Sequence, residues 1–216
     1  MDLQISGKRA LVTGGSKGIG KAVAEVLAAE GCDLVLVARD AAALAETART
    51  IRTKNQVALA DVDDTTWRKA WDLKVYGFIS MCREIYPAMA ARKSGVIINI
   101  IGAAGERHPS AYIAGSAGNA ALMGFTKALA HGAHADGIRV VGINPGAILT
   151  KRAIMLARTK AEAQWGDAER WPDLHKSLPF GRAGRPEEVA HTVAFFASPL
   201  SSYTSGTILT IDGGKE

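Results

Sequence analysis

The sequence predicts an α/β fold in which a parallel β-sheet is covered by helices. Short β-branched and apolar runs alternate with longer helical stretches along the whole chain, which is typical of this fold. The run Gly95–Ile101 is too apolar to have an exposed face, as expected of a strand that is covered on both sides. A glycine-rich turn, Gly14–Gly20, separates the first predicted strand from the first predicted helix.

Local signals define the individual elements. Gly31 ends the first helix and Pro186 lies in the first turn of the last helix, which are positions that these residues favour. Residues 151–184 are expected to be irregular to helical and to form a substrate loop over one end of the sheet. The predicted strands are Arg9–Thr13, Asp33–Ala38, Gln56–Ala60, Gly95–Ile101, Gly137–Asn144 and Thr207–Ile211. The predicted helices are Gly18–Ala29, Ala41–Ile51, Trp67–Arg92, Tyr112–Ala130 and Pro186–Ala197.

Composition excludes several classes of function. The 216 residues fit one domain, 1–216, and their formal net charge of +5 is spread along the chain, so we expect no nucleic-acid partner. Cys32 and Cys82 lie far apart without metal-ligand spacing, so we expect no metal site. No apolar run approaches the roughly 20 residues of a membrane-spanning helix, and the N-terminus lacks the pattern of a signal peptide. We therefore expect a cytoplasmic protein without a membrane partner.

The glycine-rich turn predicts a dinucleotide site. Gly14 permits a tight turn, Gly18 lets the backbone approach a pyrophosphate, and Gly20 allows close packing of the helix on the strand. The helix that follows offers free N–H groups and a positive dipole end to the phosphates. The turn therefore predicts a Rossmann-type, doubly wound parallel sheet with three αβα layers.

The residues after the second strand determine which dinucleotide fits. A basic residue there favours a 2′-phosphate, whereas an acidic one hydrogen-bonds the ribose 2′-OH. The chain has Arg39 at this place and Lys17 in the glycine-rich turn nearby, and these two cations favour NADP. Asp40, next to Arg39, keeps NAD as the alternative.

Three blocks of sequence resemble the short-chain dehydrogenase/reductase family. Thr13–Gly20 resembles its cofactor motif, Asn144–Thr150 its proline-glycine segment beside the nicotinamide carboxamide, and Ser202–Gly214 its closing strand. The resemblance implies hydride transfer between a nicotinamide cofactor and a carbonyl or alcohol carbon. The residues expected to bind the cofactor are Gly14, Ser16, Lys17, Gly18, Ile19, Gly20, Arg39, Asp61, Asn119, Pro145, Gly146, Ile148 and Thr150.

The catalytic side chains of the family are replaced in this chain. In the family, a tyrosine acts as general acid/base beside a lysine four residues later, while a serine holds the substrate oxygen and an asparagine supports a water. Gly115 stands at the tyrosine position, Asn119 at the lysine, Gly102 at the serine and Lys74 at the asparagine. Glycine donates no proton and asparagine carries no charge. The resemblance therefore implies an atypical subgroup that keeps the cofactor fold and changes the chemistry.

Three other residues are candidates for the missing chemistry. Tyr112 lies three residues before Gly115, about one helical turn back, and is either a proton donor or a packing residue. Lys74 either supplies the positive charge or points to solvent. His108, in the loop before the helix, either titrates near neutral pH or is an ordinary loop residue.

By comparison with the family, a central strand–helix segment is missing from the chain. Residues 58–67 run directly from the third predicted strand into the long helix, so that about 35 residues of a doubly wound sheet have no counterpart. The missing strand would lie beside the first strand, so its absence leaves a gap or forces a new pairing. Asp61 either contacts the adenine, as in the family, or belongs to a turn in which Asp63 or Asp64 caps the long helix.

Two functions agree with these features. The first is an NADP-dependent oxidoreductase of carbonyl or alcohol compounds with a rebuilt proton donor, and the alternative is a catalytically silent dinucleotide-binding sensor or partner protein. The resemblance implies a homodimer or homotetramer, assembled through the two long helices Trp67–Arg92 and Tyr112–Ala130 and the last strand.

Overall fold

The computed structural model describes residues 2–37 and 63–215, which fall into two compact units. The first unit contains residues 1–38, 145–201 and 211–216, and the second contains residues 39–144 and 202–210. The predicted strand Gln56–Ala60 and the predicted helix Ala41–Ile51 lie outside the described residues, as do Ala38, Arg39 and Asp61. The assignment of residues 1–216 to one domain stays a prediction.

The secondary structure agrees closely with the sequence-based prediction. Arg9–Thr13, Gly18–Ala29 and Pro186–Ala197 have the predicted bounds, and the other described elements differ by a few residues. The strands are β1 (Arg9–Thr13), β2 (Asp33–Val37), β3 (Gly95–Ile100), β4 (Ile138–Pro145) and β5 (Ile208–Ile211). The α-helices are α1 (Gly18–Ala29), α2 (Asp64–Trp71), α3 (Gly77–Ala91), α4 (Ala104–Arg107), α5 (Ile113–Ala133), α6 (Lys151–Trp165) and α7 (Pro186–Ala197).

The first unit is built on a parallel β1–β2 pair. Arg9 is paired with Asp33 and Thr13 with Val37, and α1 connects the two strands. Helix α1 packs against α7, and both helices bury mainly small apolar side chains, which allows a close approach. Gly31 has a φ of +80° at the end of α1, so the predicted role of this glycine is confirmed.

The substrate loop of the first unit is more regular than predicted. Residues 151–165 form α6, and Ala168–His175 form a 3₁₀-helix that packs back on it. The Arg158 guanidinium donates to the Glu169 carboxylate at 3.1 Å, and the Arg170 guanidinium lies 4.5 Å from the centre of the Trp165 ring. Trp165 therefore packs within this helical hairpin.

The second unit contains a β3–β4–β5 sheet with α3 and α5 packed against it. β3 and β4 are parallel, with Gly95 opposite Ile138 and Ile100 opposite Ile143. The core of this unit combines buried strand residues with helix residues, among them Ile97, Val140, Cys82, Ala130 and Ala133.

The predicted helix Trp67–Arg92 is not continuous, which corrects the prediction. It begins at Asp64, where the Asp63 carboxylate accepts a hydrogen bond from Thr66 N–H at 2.7 Å, so Asp63 is the helix cap. Residues Asp72–Tyr76 form a π-helical turn between α2 and α3. A π turn adds one residue to a helical turn and is frequent at functional sites.

The described strands form two sheets. β1 pairs with β2, and β3 pairs with β4, which pairs with β5. Within the described ranges 2–37 and 63–215, β1 and β3 each have one strand partner. None of the described helices is both long and apolar enough to span a membrane.

Candidate functional site

The glycine-rich turn of the first unit has the geometry of a phosphate-binding turn. Gly14 and Gly18 have φ values of +70° and +55°, which favour glycine. A Cβ on Gly20 would overlap the carbonyl of Gly14, so the predicted close approach at this position is confirmed. Lys17 is the N-cap of α1 and makes no side-chain capping bond, and the first turn contains no acidic residue. The first N–H groups of α1 are thus left for an anion.

The proline-glycine segment lies beside this turn. A Cβ on Gly18 would lie 3.3 Å from Thr150 Cγ2, which brings the first and second sequence blocks together within the same unit. Gly146 N–H donates to Ile211 O at 2.9 Å, and Ile148 forms a parallel bridge to Gly184. The Thr150 hydroxyl accepts from Ala153 N–H at 3.1 Å and caps α6. The glycine-rich turn and the proline-glycine segment therefore lie side by side within the first unit.

The placement of the other predicted cofactor residues is mixed. Ser16 and Lys17 are exposed in the turn, Ile19 is half-buried at the start of α1, and Pro145 ends β4. Arg39 and Asp61 lie outside the described residues, so the predicted NADP selectivity of Arg39 stays a prediction. Asn119 belongs to the second unit.

Lys74, Gly102 and Asn119 form a polar cluster in the second unit, and Lys74 is its charged group. Its Nζ donates to Ile101 O at 2.7 Å and lies 5.8 Å from the centre of the Phe78 ring. Burial lowers the pKa of Lys74 to about 8. Of the two roles considered for Lys74, the solvent-pointing one is wrong, because the side chain turns toward the end of β3.

Gly118 lets the π-helical turn that carries Lys74 pack closely on α5. A Cβ on Gly118 would lie 3.1 Å from Val75 Cγ2, 3.4 Å from Trp71 Nε1 and 3.8 Å from Lys74 Cγ. The Trp71 indole also donates to Ala114 O at 3.0 Å. The π-helical turn therefore packs closely on α5, and the stem of Lys74 passes over the glycine.

Asn119 and Gly102 are in close contact and are joined by a hydrogen bond. Asn119 Nδ2 donates to Gly102 O at 3.1 Å, and a Cβ on Gly102 would lie only 3.0 Å from that nitrogen. Gly102 also has a φ of +130°, which L-residues with a side chain rarely adopt. A serine at this position, as in the family, would strain both the backbone and the contact with Asn119.

Tyr112 occupies the space of the side chain that Gly115 lacks. A Cβ on Gly115 would overlap the Cζ end of the Tyr112 ring. The Tyr112 residue as a whole is half-exposed. A tyrosine at position 115 would extend a full ring length beyond its Cβ, so the Tyr112 hydroxyl lies closer to α5 than the hydroxyl of such a residue would.

Two buried oxygen atoms of α5 have no hydrogen-bond partner among the described residues. They are Ser116 Oγ and Asn119 Oδ1, and their residues are 4% and 3% exposed. An unpaired buried polar atom is costly, so such atoms frequently mark a place that a water or a ligand group fills. The prediction from sequence missed Ser116 and Gly118, although the run of small residues from Ala114 to Gly118 was a signal for close packing.

His108 is not joined to this cluster. It is exposed and ends α4 with a φ of +49°. Among the residues that the structure describes, no hydrogen bond or ring contact connects it with Lys74 or Tyr112. The structure therefore brings together Gly102, Asn119 and Lys74, places Tyr112 on Gly115, and leaves His108 apart.

Comparison with known proteins identifies the family. A family model described as short chain dehydrogenase matches residues 8–66, and a related model described as enoyl-(acyl carrier protein) reductase matches residues 50–216. The chain belongs to the short-chain dehydrogenase/reductase family. The predicted family and the predicted Rossmann-type α/β fold are thus confirmed, and the family consists of NAD(P)-dependent oxidoreductases.

Similar proteins of this family include several sugar-related dehydrogenases. Galactitol 2-dehydrogenase of Cereibacter sphaeroides is 30% identical over 98% of this chain and 96% of its own length. 2-Keto-3-deoxy-L-fuconate dehydrogenase of Xanthomonas campestris is 29% identical over 98% of this chain and 81% of its own length. The crystal structure of L-sorbose reductase from Gluconobacter frateurii, complexed with NADPH and L-sorbose, has a TM-score of 0.87 at 30% identity and covers 99% of this chain and 98% of that chain.

The same alignments support the missing segment. The alignment with galactitol 2-dehydrogenase runs over 251 positions, whereas this chain has 216 residues, so at least 35 positions have no residue of this chain. This total agrees with the size of the strand–helix segment that the short-chain dehydrogenase/reductase family would place before the long helix.

We expect that Lys74→Met makes the protein more stable at neutral pH. The unfolded chain keeps the lysine proton up to the usual pKa of 10.5, whereas the folded chain loses it near pH 8. Below pH 8, burial of the charged amine therefore destabilises the wild type by about 3 kcal/mol. Lys74→Met removes this cost, but it also loses the hydrogen bond to Ile101, which stabilises the wild type by about 1 kcal/mol. Urea unfolding at pH 7 would therefore show Lys74→Met about 2 kcal/mol more stable than the wild type.

The pH dependence provides the control for this prediction. Between pH 8 and 10.5 the unfolded chain binds more protons than the folded one, so rising pH stabilises the wild type relative to the variant. The difference between the two proteins should shrink by pH 9.5. A difference that does not change with pH would contradict the buried-charge explanation.

Proposed function

We propose that this protein is an NADP-dependent oxidoreductase that transfers hydride between the nicotinamide and a carbonyl or alcohol carbon, with Tyr112 as its proton donor. The observation that carries the proposal is the placement of the Tyr112 ring over Gly115, at the position of the family tyrosine. The other replaced positions are packed against each other in the same way, which supports an altered active site over a decayed one.

NADP is the proposed cofactor, with NAD as the alternative. The glycine-rich turn and residues 145–150 fit a dinucleotide, and Lys17, together with the predicted role of Arg39, favours a 2′-phosphate. The structure of L-sorbose reductase contains NADPH, which supports the same choice. When bound, the cofactor supplies or accepts the hydride at the carbon of the substrate.

Tyr112 and Lys74 divide the remaining chemistry. During reduction, the Tyr112 hydroxyl gives its proton to the carbonyl oxygen as the hydride reaches the carbonyl carbon, and its half-exposed ring lets solvent return the proton. Lys74 supplies the positive charge for the oxygen that becomes negative, which the family takes from a lysine at the position of Asn119. His108 remains a third candidate, and its exposed place favours an indirect role.

The relatives suggest a small polar substrate. Galactitol, L-sorbose and 2-keto-3-deoxy-L-fuconate appear in the names of the similar proteins, so we propose a hydroxylated carbonyl or alcohol compound. We also propose a homodimer or homotetramer in the cytoplasm, without nucleic-acid or membrane partners. The family resemblance supports the homo-oligomer. The even spread of positive charge along the chain supports the absence of a nucleic-acid partner.

The test offers the protein NADPH and a panel of aldehydes and ketones. The fall in NADPH absorbance measures the oxidation of the cofactor. Tyr112→Phe should lower kcat by about 10²- to 10⁴-fold while the Kd of NADPH stays unchanged, because only the proton donor is removed. Tyr203→Phe is the matched control, because Tyr203 is fully exposed in the same unit and should behave as the wild type.

A silent dinucleotide-binding protein is the second candidate. The replacement of all four family residues and the missing strand favour it. NADPH binding without turnover on any carbonyl compound would support this candidate, whereas turnover that is insensitive to Tyr112→Phe would support an enzyme with another acid.

A further inference from the structure

Lys74 is a partly buried cation that faces no anion. Within residues 2–37 and 63–215, its ammonium group has one hydrogen-bond partner, the neutral carbonyl of Ile101, and forms no ion pair. The Phe78 ring lies 5.8 Å from the ammonium nitrogen. A desolvated charge without a counter-charge destabilises the protein, and such groups are normally paired when they are buried.

The surrounding fold holds this charge in place. Lys74 lies in the π-helical turn, which packs closely on α5 at Gly118. Only one of the three N–H groups of the ammonium is used by Ile101 O, which leaves two donors. The fold thus presents a fixed cation with spare donors at the end of β3.

The neighbouring positions do not neutralise the charge. Gly102 and Gly115 have no side chains, and Asn119 is neutral. Within the described residues, Asn119 Oδ1 and Ser116 Oγ on α5 are also buried without hydrogen-bond partners. An anionic group on a ligand would supply the counter-charge that the ammonium lacks.

We propose that Lys74 binds the carboxylate of the substrate, so that the substrate is an oxo acid or the corresponding hydroxy acid. This proposal rests on the proposed function and names its substrate class. The carboxylate accepts a hydrogen bond from one spare donor of Lys74, and the other spare donor faces the neighbouring carbonyl oxygen. The carbon of that carbonyl takes up the hydride, and its oxygen takes up the Tyr112 proton. A carboxylate pairs with a Lys ammonium through short, charge-assisted hydrogen bonds.

Binding of a non-reducible pair of probes tests the proposal. Oxamate carries a carboxylate beside an amide carbonyl, and ethyl oxamate is its neutral ester. With the full chain and NADP⁺, NMR titration of ¹³Cε-labelled lysine should show that oxamate binds at least tenfold more tightly than the ester, because a charged hydrogen bond is lost in the ester. Bound oxamate should also raise the pKa of Lys74 toward its usual range.

Variants of Lys74 make the test specific. Lys74→Gln should abolish the preference for oxamate, Lys74→Arg should keep it, and Lys69→Gln, an exposed lysine on α2, should leave it unchanged. The thermal midpoint of each variant shows that it is folded. Equal binding of oxamate and its ester to the wild type, or a preference that survives Lys74→Gln, would overturn the proposal. Binding of inorganic phosphate in place of oxamate would also overturn it.

Turnover separates this proposal from the proposed function. Reduction of neutral ketones and oxo acids with the same kcat/KM, unaffected by Lys74→Gln, would overturn the carboxylate site and leave the oxidoreductase standing. Lys74-dependent binding of oxamate without turnover on any compound would overturn the proposed oxidoreductase function and leave the carboxylate site standing.

Discussion

Insertion of a central strand–helix segment after Ala60 is expected to raise both the stability of the protein and its affinity for NADPH. In the described part of the chain, β1 and β3 each pair with one strand, and Leu11, Val35 and Leu36 on β1 and β2 are 42%, 55% and 53% exposed. A parallel sheet normally buries such residues on both faces. A new strand that pairs with the edge of β1 adds several hydrogen bonds, for a gain on the order of 5 kcal/mol.

The matching segment of galactitol 2-dehydrogenase is the natural insert for this experiment. Urea unfolding measures the stability, and NADPH fluorescence measures the Kd. A glycine-serine insert of equal length at the same place is the control, because it lengthens the loop without adding a strand. Equal effects of the two inserts would contradict the idea that the central strand is what the protein lacks.

The intact mass of the purified protein must be measured beside this experiment. The sequence corresponds to 22.7 kDa. A mass several kilodaltons higher would show that the protein already carries a segment that its sequence lacks, and the insertion would then have no gap to fill. A mass of 22.7 kDa would show that the central strand is absent from the protein, which makes its effect on cofactor binding the main question.

Gly115→Ala is expected to lower kcat by about 10²-fold with little change in stability. The new methyl group overlaps the end of the Tyr112 ring, and this half-exposed ring turns into solvent instead of disrupting the helix. Alanine also stabilises a helix interior by up to about 1 kcal/mol relative to glycine, which offsets the lost contact. Carbonyl reduction by NADPH and thermal unfolding measure the two effects.

Gly124→Ala is the matched control for this substitution. Gly124 lies on the same helix, and a Cβ there would meet nothing within 4 Å. It should therefore keep full activity. Full activity of Gly115→Ala would contradict the role of Tyr112, and a large loss of stability would show that Tyr112 mainly packs the helix.

Substitutions that restore the family residues are also expected to cause steric overlap. Gly115→Tyr alone places two tyrosines in one space, and a serine at position 102 approaches Asn119 Nδ2 with an unfavourable backbone conformation. The replaced residues are thus coupled through packing, so that single reversions are unfavourable even where the family residue is the more common one. This coupling supports an atypical subgroup that has reorganised its site.

Much of the fold was determined by the sequence itself. The bounds of β1, α1 and α7 follow from apolar periodicity, from Gly31 and from Pro186, because these signals act over a few neighbouring residues. The glycine-rich turn is equally local, so its conformation was predictable, and phosphate binding by it stays a prediction. The helix cap at Asp63 was one of two alternatives that the residue types allowed, and the structure selects it.

The arrangement of the polar cluster was decided only by the tertiary structure. Lys74 meets Ile101 across 27 residues of sequence, and Asn119 meets Gly102 across 17. Such contacts depend on how closely α5 approaches the π-helical turn and β3, and that distance is set by Gly118 together with the side chains packed around it. Residue type and spacing identified Tyr112 and Lys74 as candidates. Only the tertiary structure showed that Tyr112 packs on Gly115 and that the Lys74 side chain points inward.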